Sequence, residues 1–375
     1  MKKTFPNPKT EDAAPAKKLL MTASTFAHIM NFHLPYLADF KRLGWVVHVA
    51  CGGEQREVPY ADRCISVPIV KSFTSVSNLK ASAMLRELMK TERYDLVITH
   101  TSLAAFFTRL AEKGLKNRPR TINVVHGYLF DDRTSRKKAA VLKTAEYLAA
   151  PQTDLVLTMN RYDKEWAEAH SVSKAVGAIP GMGVDESKLA AACKKADFGF
   201  RESDFVLVYP AEFSERKSQE MLIRAMADLP KDVKLFLPGN GALLEKCKEL
   251  AAETGVSDRV VFPGYVKDAG SILSFADVAV SSSRLEGLPF NIAEAMLSSL
   301  PVIASRVKGN EDLVEDGVTG FLFEYNDAGG FADKVKLLFT DREACRRMGA
   351  AGREKAQAYT LASAEKQVMD AYLTV

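Results

Sequence analysis

Two doubly wound α/β domains in tandem, facing each other across a cleft, are the fold this sequence predicts. Three observations lead there. Short apolar runs alternate with helical stretches from Lys17 onward, which marks parallel sheets covered by helices on both faces. A length of 375 residues exceeds one ordinary core and calls for two domains. The alternating series also begins twice, the second time after AACKKADFGFRESD (191–204), a polar stretch without periodicity that reads as a linker.

Taken in order, residues 1–16 (MKKTFPNPKTEDAAPA) form a polar tail predicted to be disordered. The tail has two early lysines but no apolar segment behind them, so it does not read as a secretion signal, and a cytoplasmic protein is expected. The first domain, 17–190, opens with a strand at KKLLMTAS, a helix at NFHLPYLADFKRLG and a strand at WVVHVA. Further strands are expected at ISVPIV, DLVITH, TINVVH and DLVLTM, with helices such as NLKASAMLRELMKTE between them. The second domain, 191–355, carries the strand runs FVLVYP, VKLFLPGNG, RVVFPGY, DVAVSS, PVIAS and GFLF. Residues 356–375 close the chain with a helix. In open α/β sheets ligands bind beyond the carboxyl ends of the strands, so the cleft is the expected site.

Composition narrows the classes further. With 47% hydrophobic and 26% charged residues the chain is of globular type, and no run of about 18 apolar residues is present to span a bilayer. The five cysteines, Cys51, Cys64, Cys193, Cys247 and Cys345, never fall in C-x-x-C spacing, so free thiols are expected. The six histidines show no H-E-x-x-H or other metal-ligand spacing, and no metal is expected. The net charge of +4 hides an asymmetry: residues 1–190 hold 28 Lys+Arg against 19 Asp+Glu, and residues 191–375 hold 23 against 28. The basic half lacks interleaved aromatics or a reading motif, which argues against a nucleic-acid partner. The nearest approach to a dinucleotide fingerprint is GNGALL from Gly239, where Leu244 replaces the third glycine, so NAD chemistry is not indicated.

The stretch 281–301, SSSRLEGLPFNIAEAMLSSLP, concentrates the chemistry. It reads as strand, tight loop and helix, with Glu286 and Glu294 on either side of a Gly-Leu-Pro turn. Pro289 suits the first helical position, where its missing N–H is no loss. The N–H groups of Leu288, Phe290 and Asn291 then join the unpaired donors of a helix N-terminus, which with the helix dipole favours a phosphate. Phosphate between two carboxylates asks for a ligand with hydroxyls on both flanks, and a nucleotide-sugar has ribose, diphosphate and hexose in that order. Two carboxylates at a plain helix start, favoured by the dipole, are the alternative reading.

The blocks EGLPFNIAEAM, PVIAS and GNEDLVEDGVTGFLF resemble the carboxyl-terminal signature of the retaining GT-B glycosyltransferases of family 4, in the branch that builds exopolysaccharides and capsules. The resemblance runs in short blocks from about Ser24 to the end, and it implies the GT-B architecture of two Rossmann-like domains. PAEFSERKSQE resembles the family's diphosphate loop, where Arg216 and Lys217 would neutralise the leaving diphosphate; relatives often carry arginine where this chain has Glu212. A solvated helix start is the plain alternative for that pair. GYVKD resembles the loop that receives the base, bringing in Gly264 and Tyr265, and the Gly239–Gly241 turn is similar to one that borders the donor cleft. His126 and Gly127 match the family's A-H-G block, in which the histidine contacts the donor sugar, while Glu286 would hold another sugar hydroxyl. His28, Asn31 and His33 in HIMNFHLP, and Asn160 and Asp163 in TMNRYD, match two further blocks.

The resemblance therefore implies a UDP-sugar donor without metal, catalysis by His126, Glu286, Lys217 and Arg216, and donor binding by Glu294, Leu288, Pro289, Phe290, Gly264, Tyr265, Gly239 and Gly241. The implied acceptor is a polyprenyl-diphosphate-linked saccharide, and the last helix would cross back to the first domain. The basic run Arg133–Lys143, extended by Lys113, Lys116, Arg118 and Arg120, is either a solvated face or a peripheral contact with anionic lipid on the inner face of the membrane. Two other readings of the same fold remain at this point: an epimerase or hydrolase of nucleotide-sugars, and a non-catalytic scaffold subunit.

Overall fold

The computed structural model describes residues 15–374 apart from Lys71, Phe73 and Lys267. The polar tail 1–16 thus lies outside the described residues except for Pro15 and Ala16, as does Lys267 of GYVKD. The first sheet contains β1 (Lys18–Ala23), β2 (Val46–Cys51), β3 (Arg63–Ser66), β4 (Leu96–His100), β5 (Arg120–Val125), β6 (Leu155–Thr158) and β7 (Ala175–Ala178). Its helices are α1 (Phe26–Phe32), α2 (Leu34–Arg42), α3 (Val76–Glu92), α4 (Ser102–Glu112), α5 (Arg136–Ala149) and α6 (Arg161–Ala169). The second sheet contains β8 (Phe205–Val208), β9 (Val233–Phe236), β10 (Val260–Val261), β11 (Val278–Ser281), β12 (Val302–Ser305) and β13 (Gly320–Phe323). Around it lie α7 (Gln219–Ala225), α8 (Leu244–Glu253), α9 (Ala269–Leu273), α10 (Phe290–Leu297), α11 (Asn310–Leu313), α12 (Ala328–Thr340), α13 (Arg342–Ala356) and α14 (Leu361–Leu373).

All strand pairs are parallel, in the orders β3-β2-β1-β4-β5-β6-β7 and β10-β9-β8-β11-β12-β13. The central strands β4, β6, β8, β11 and β12 are buried along their whole length, which is why they read as continuous apolar runs instead of alternating ones. Each order reverses beside its first strand, between β1 and β4 and between β8 and β11. Those two switch points open crevices at the strands' carboxyl ends.

Four expectations are corrected. The run ISVPIV supplies only Ile65 and Ser66 to β3, which starts earlier; Pro68 has no N–H for the ladder. The helix expected over NFHLPYLADFKRLG is two helices, α1 and α2, because Pro35 cannot donate within a continuous helix, and the break buries His33 at the junction. The polar stretch 191–204 is no free linker: Cys193, Phe198 and Phe200 pack into the second domain's core and Lys195 pairs with Asp277 at 3.0 Å. Pro289 caps α10 instead of beginning it, with ψ +106°, and its carbonyl accepts from Ile292 and Ala293. A cap needs the carbonyl alone, so proline serves there too.

The last helix, α14, places Val368, Met369 and Tyr372 in the same apolar cluster as Leu37, Phe40 and Val47 of the first domain. No helix among the described residues is long and apolar enough to cross a membrane.

Candidate active site

Each switch point is closed by a hydroxyl contact. Beyond β1 and β4, Ser24 Oγ and Thr101 Oγ1 lie 2.6 Å apart, and Thr101 holds φ +64°, a conformation non-glycine residues seldom adopt. Beyond β8 and β11, Tyr209 Oη and Ser283 Oγ lie 2.7 Å apart.

Ser283 leads into the central carboxylate. Its hydroxyl donates to Glu286 Oε1 at 2.6 Å, Lys217 Nζ donates to the same oxygen at 2.5 Å, and Arg216 Nη1 donates to Oε2 at 3.0 Å. Burial pushes the Glu286 carboxyl upward, but Lys217 and Arg216 together hold it below the usual range. Three of the roughly four acceptor positions of a carboxylate are thereby filled, which leaves one on Oε2 for a ligand hydroxyl. The two cations expected to neutralise a diphosphate are joined to the carboxylate expected to hold sugar.

The loop after Glu286 meets the loop after β5 at van der Waals distance. A side chain on Gly127, whose φ is +122°, would put its Cβ 2.6 Å from Gly287 Cα, and one on Gly287 would overlap the His126 carbonyl. Only glycine at both positions permits this approach. His126, Gly127, Arg216 and Glu286 consequently line one cavity of about 480 Å³ with Ser24, Thr101 and Ser102. His126 Nε2 lies 3.1 Å from His100 Nδ1.

The remaining donor-side residues surround the second switch point without lining that cavity. Glu294 sits in the second turn of α10, half-buried; burial pushes its carboxyl up to about 7, with Lys188 opposing and Asp268 adding to the rise. Gly239 and Gly264 belong to adjoining loops, and the Gly239 N–H donates to the Gly264 carbonyl at 2.8 Å, so that N–H braces a loop and does not face a ligand. Gly241 packs against the backbone of Phe213, and Tyr265 is exposed. Leu288 and Phe290 reach the first domain, with the Phe290 ring 5.2 Å from that of Phe32.

Asn160 and Asp163 belong to the joint between the domains. Asn160 caps α6 and donates to the Gly287 carbonyl at 3.0 Å, while Asp163 accepts from Lys308 Nζ at 2.6 Å. Lys308, which sequence reasoning passed over, is almost fully buried and also donates to the carbonyls of Tyr128 and Phe130. Asn31 is exposed. The basic run divides: Arg133 turns to the Arg306 carbonyl, Lys143 lies over Phe130 and Trp166, and Arg118 pairs with Glu112 and Asp154. Arg136, Lys137 and Lys138 stay exposed.

The histidines, which show no metal-ligand spacing in the sequence, meet in the fold. His28, His33, His100 and His126 come from three separate segments, yet their rings gather in one cluster with nitrogens within 4.8 Å of one another. The signal that could have found them is their common place at the carboxyl ends of β4 and β5 and in the first helical segment after β1.

Paired parallel sheets with facing switch points, bridged by a histidine loop and a carboxylate held by two cations, define a GT-B glycosyltransferase. Residues 193–355 match the family described as "Glycosyl transferases group 1", and residues 36–187 match "Glycosyltransferase Family 4". A Bacillus subtilis protein named as a glycosyltransferase, EpsD, is 32% identical over 95% of this chain and 96% of its own. The chain belongs to glycosyltransferase family 4. An Escherichia coli relative, named UDP-Gal:alpha-D-GlcNAc-diphosphoundecaprenol alpha-1,3-galactosyltransferase, is 29% identical over 75% of this chain and 76% of its own. Among solved structures, sucrose-phosphate synthase of Thermosynechococcus elongatus overlays with a TM-score of 0.82 at 20% identity, covering 96% of this chain and 98% of the other. Anabaena HepE, determined with UDP and glucose, overlays with a TM-score of 0.77 at 19% identity, covering 96% and 100%.

Proposed function

We propose that this glycosyltransferase moves a hexose or N-acetylhexosamine from a UDP-sugar to a polyprenyl-diphosphate-linked saccharide, with retention of configuration, in the assembly of an exopolysaccharide, capsule or related surface glycan. The observation that carries the reading is the joining of His126–Gly127 and Glu286–Gly287 across the cleft, with Arg216 and Lys217 on the same carboxylate. The residues 191–355 hold the donor and 17–190 the acceptor, with α14 tying the second to the first.

The donor diphosphate enters beside Arg216 and Lys217 and shares them with Glu286. As the glycosyl–phosphate bond breaks, negative charge grows on the β-phosphate and these cations stabilise it more than they stabilise the bound donor. The helix N-terminus at Leu288, Pro289 and Phe290 adds its dipole, Glu294 accepts ribose hydroxyls, and the loops at Gly239, Gly241, Gly264 and Tyr265 border the base. Glu286 and His126 hold sugar hydroxyls, and a β-phosphate oxygen takes the acceptor's proton on the same face. The name of the Escherichia coli relative and the HepE ligands support uridine, and that relative's name supports the lipid diphosphate acceptor.

Three exposed cations, Arg136, Lys137 and Lys138, start α5, where the helix dipole disfavours them, and Val141, Tyr147 and Leu148 are exposed on the same helix. Anionic lipid at the inner face of the membrane suits that combination.

Calorimetry with UDP-, GDP- and ADP-sugars, without added metal, tests the donor. Micromolar binding of one UDP-sugar, lost in Glu294→Ala, is expected. Preference for another nucleotide, or unchanged binding in the variant, would overturn the assignment.

A further inference from the structure

We propose that His28, His33, His100 and His126 bind one divalent transition-metal ion, zinc by the chemistry of the donors, which pins the start of the first domain to the floor of the cleft. Two of these rings, His33 and His100, are fully buried, and the other two are half-buried. The Nε2 of His28 and both nitrogens of His33 are buried without a hydrogen-bond partner among the described residues. Buried polar nitrogens left in this state ask for water or an ion.

The donor set selects the ion. Four imidazoles with no carboxylate among them do not suit magnesium, calcium or manganese, which take oxygen ligands, but do suit zinc and its neighbours.

Geometry supports the same conclusion. His100 Nδ1 and His126 Nε2 stand 3.1 Å apart. Bonds of about 2.0–2.1 Å to a tetrahedral ion put ligand nitrogens about 3.3 Å from each other. All four candidate ligand nitrogens lie within 4.8 Å of one another. The site joins the α1–α2 break, which carries His33, to the ends of β4 and β5. Ligation through Nε2 of His126 leaves its Nδ1 for a sugar hydroxyl, so the ion is structural and compatible with the role proposed for His126 above.

Cobalt provides the readout. The full chain, freed of any histidine tag and stripped with chelator, is titrated with Co²⁺ and followed in the visible, with Zn²⁺ added afterwards. One equivalent of Co²⁺ with the intense band of a tetrahedral site is expected, displaced by Zn²⁺, with Zn²⁺ also raising the Tm of the stripped protein by several degrees. His28→Ala, His33→Ala and His100→Ala should each abolish the band, and His170→Ala, outside the cluster, should keep it. No stoichiometric Co²⁺ in the wild type would overturn the proposal and leave ordered water as the occupant. A band that survives in His28→Ala and His33→Ala would also overturn it. If a buried-histidine variant fails to fold, the wild-type stoichiometry and His28→Ala at the cluster's rim still decide.

Discussion

Lys217→Met separates a catalytic cation from a merely structural one. In the wild type Glu286 is buried and held ionised by Lys217 at 2.5 Å and Arg216 at 3.0 Å, with Arg216 nearly half-exposed. Removing a partner from a buried pair destabilises by about 3–5 kcal/mol, and since Arg216 remains, the lower end, about 3 kcal/mol, is expected. For a domain of this size that is a fall in Tm of about 6–12 °C. The sign with pH follows from the carboxyl. With its folded value depressed, wild-type Glu286 contributes stability above the unfolded value of about 4.3, lost as the pH falls through the folded value. In the variant, burial dominates and lifts the folded value above the unfolded one, so stability falls as the pH rises past about 4.3. The gap in Tm between the two proteins should therefore widen from pH 4.5 to pH 7.5. If Lys217 also neutralises the leaving diphosphate, kcat drops by about 10²–10³-fold and UDP binds more weakly. Melts at both pH values, calorimetry with UDP and steady-state kinetics make the test. A lowered Tm with kcat within about threefold of wild type would refute the catalytic role and leave Lys217 as the counter-ion of Glu286 alone.

The other expectations use different parts of the molecule. Gly127→Ala drives a Cβ to 2.6 Å from Gly287 and forces two loops apart, so kcat/KM should fall by about 10²-fold while UDP binding by the second domain persists. Glu294→Gln should raise stability at pH 8, where the wild-type carboxyl has to ionise half-buried; the gain should shrink as the pH falls through about 7, and calorimetric donor affinity should lose its pH dependence over the same range. Lys308→Met leaves Asp163 buried and uncompensated and should lower the Tm by an amount worth about 3–5 kcal/mol, splitting the calorimetric transition as the domains uncouple; adding Asp163→Asn should recover more than about 1 kcal/mol. Charge reversal at Arg136, Lys137 and Lys138 removes about 1 kcal/mol of lipid attraction each, and sedimentation with anionic vesicles should drop by at least about 10²-fold.

What could be read in the chain, and what could not, follows from the range of the interactions. Strands such as DLVITH and DVAVSS show in sequence because burial on both faces demands an uninterrupted apolar run, a local property. Motif context singled out Glu286 and Lys217 as candidates but not their mutual pairing, since 69 residues separate them and the loops of two strands must meet first. Lys308 looks like any surface lysine in RVKGNED; only the carbonyls of Tyr128 and Phe130 and the Asp163 carboxylate, from the other domain, make its burial possible. The stretch 191–204 misled because Phe198 and Phe200 are too few and too close for a periodic signal, yet two aromatic rings suffice to hold a strap.

Pairings of this long-range kind also bear on how the cleft works. The Gly127–Gly287 contact and the Asn160 bond to the Gly287 carbonyl lie at the cavity, whereas Lys308 with Asp163 lies behind it. Leu288 and Phe290, on the same loop and helix as Glu286 and the cap of α10, pack on the first domain. Any opening that admits a donor to Glu286 therefore has to separate Gly287 from Gly127, and it moves the helix N-terminus that would meet the diphosphate. Under the roles proposed for Glu286 and His126, donor binding and closure of the cleft are in this way one event, because the two sides of the sugar site come together only when the domains touch.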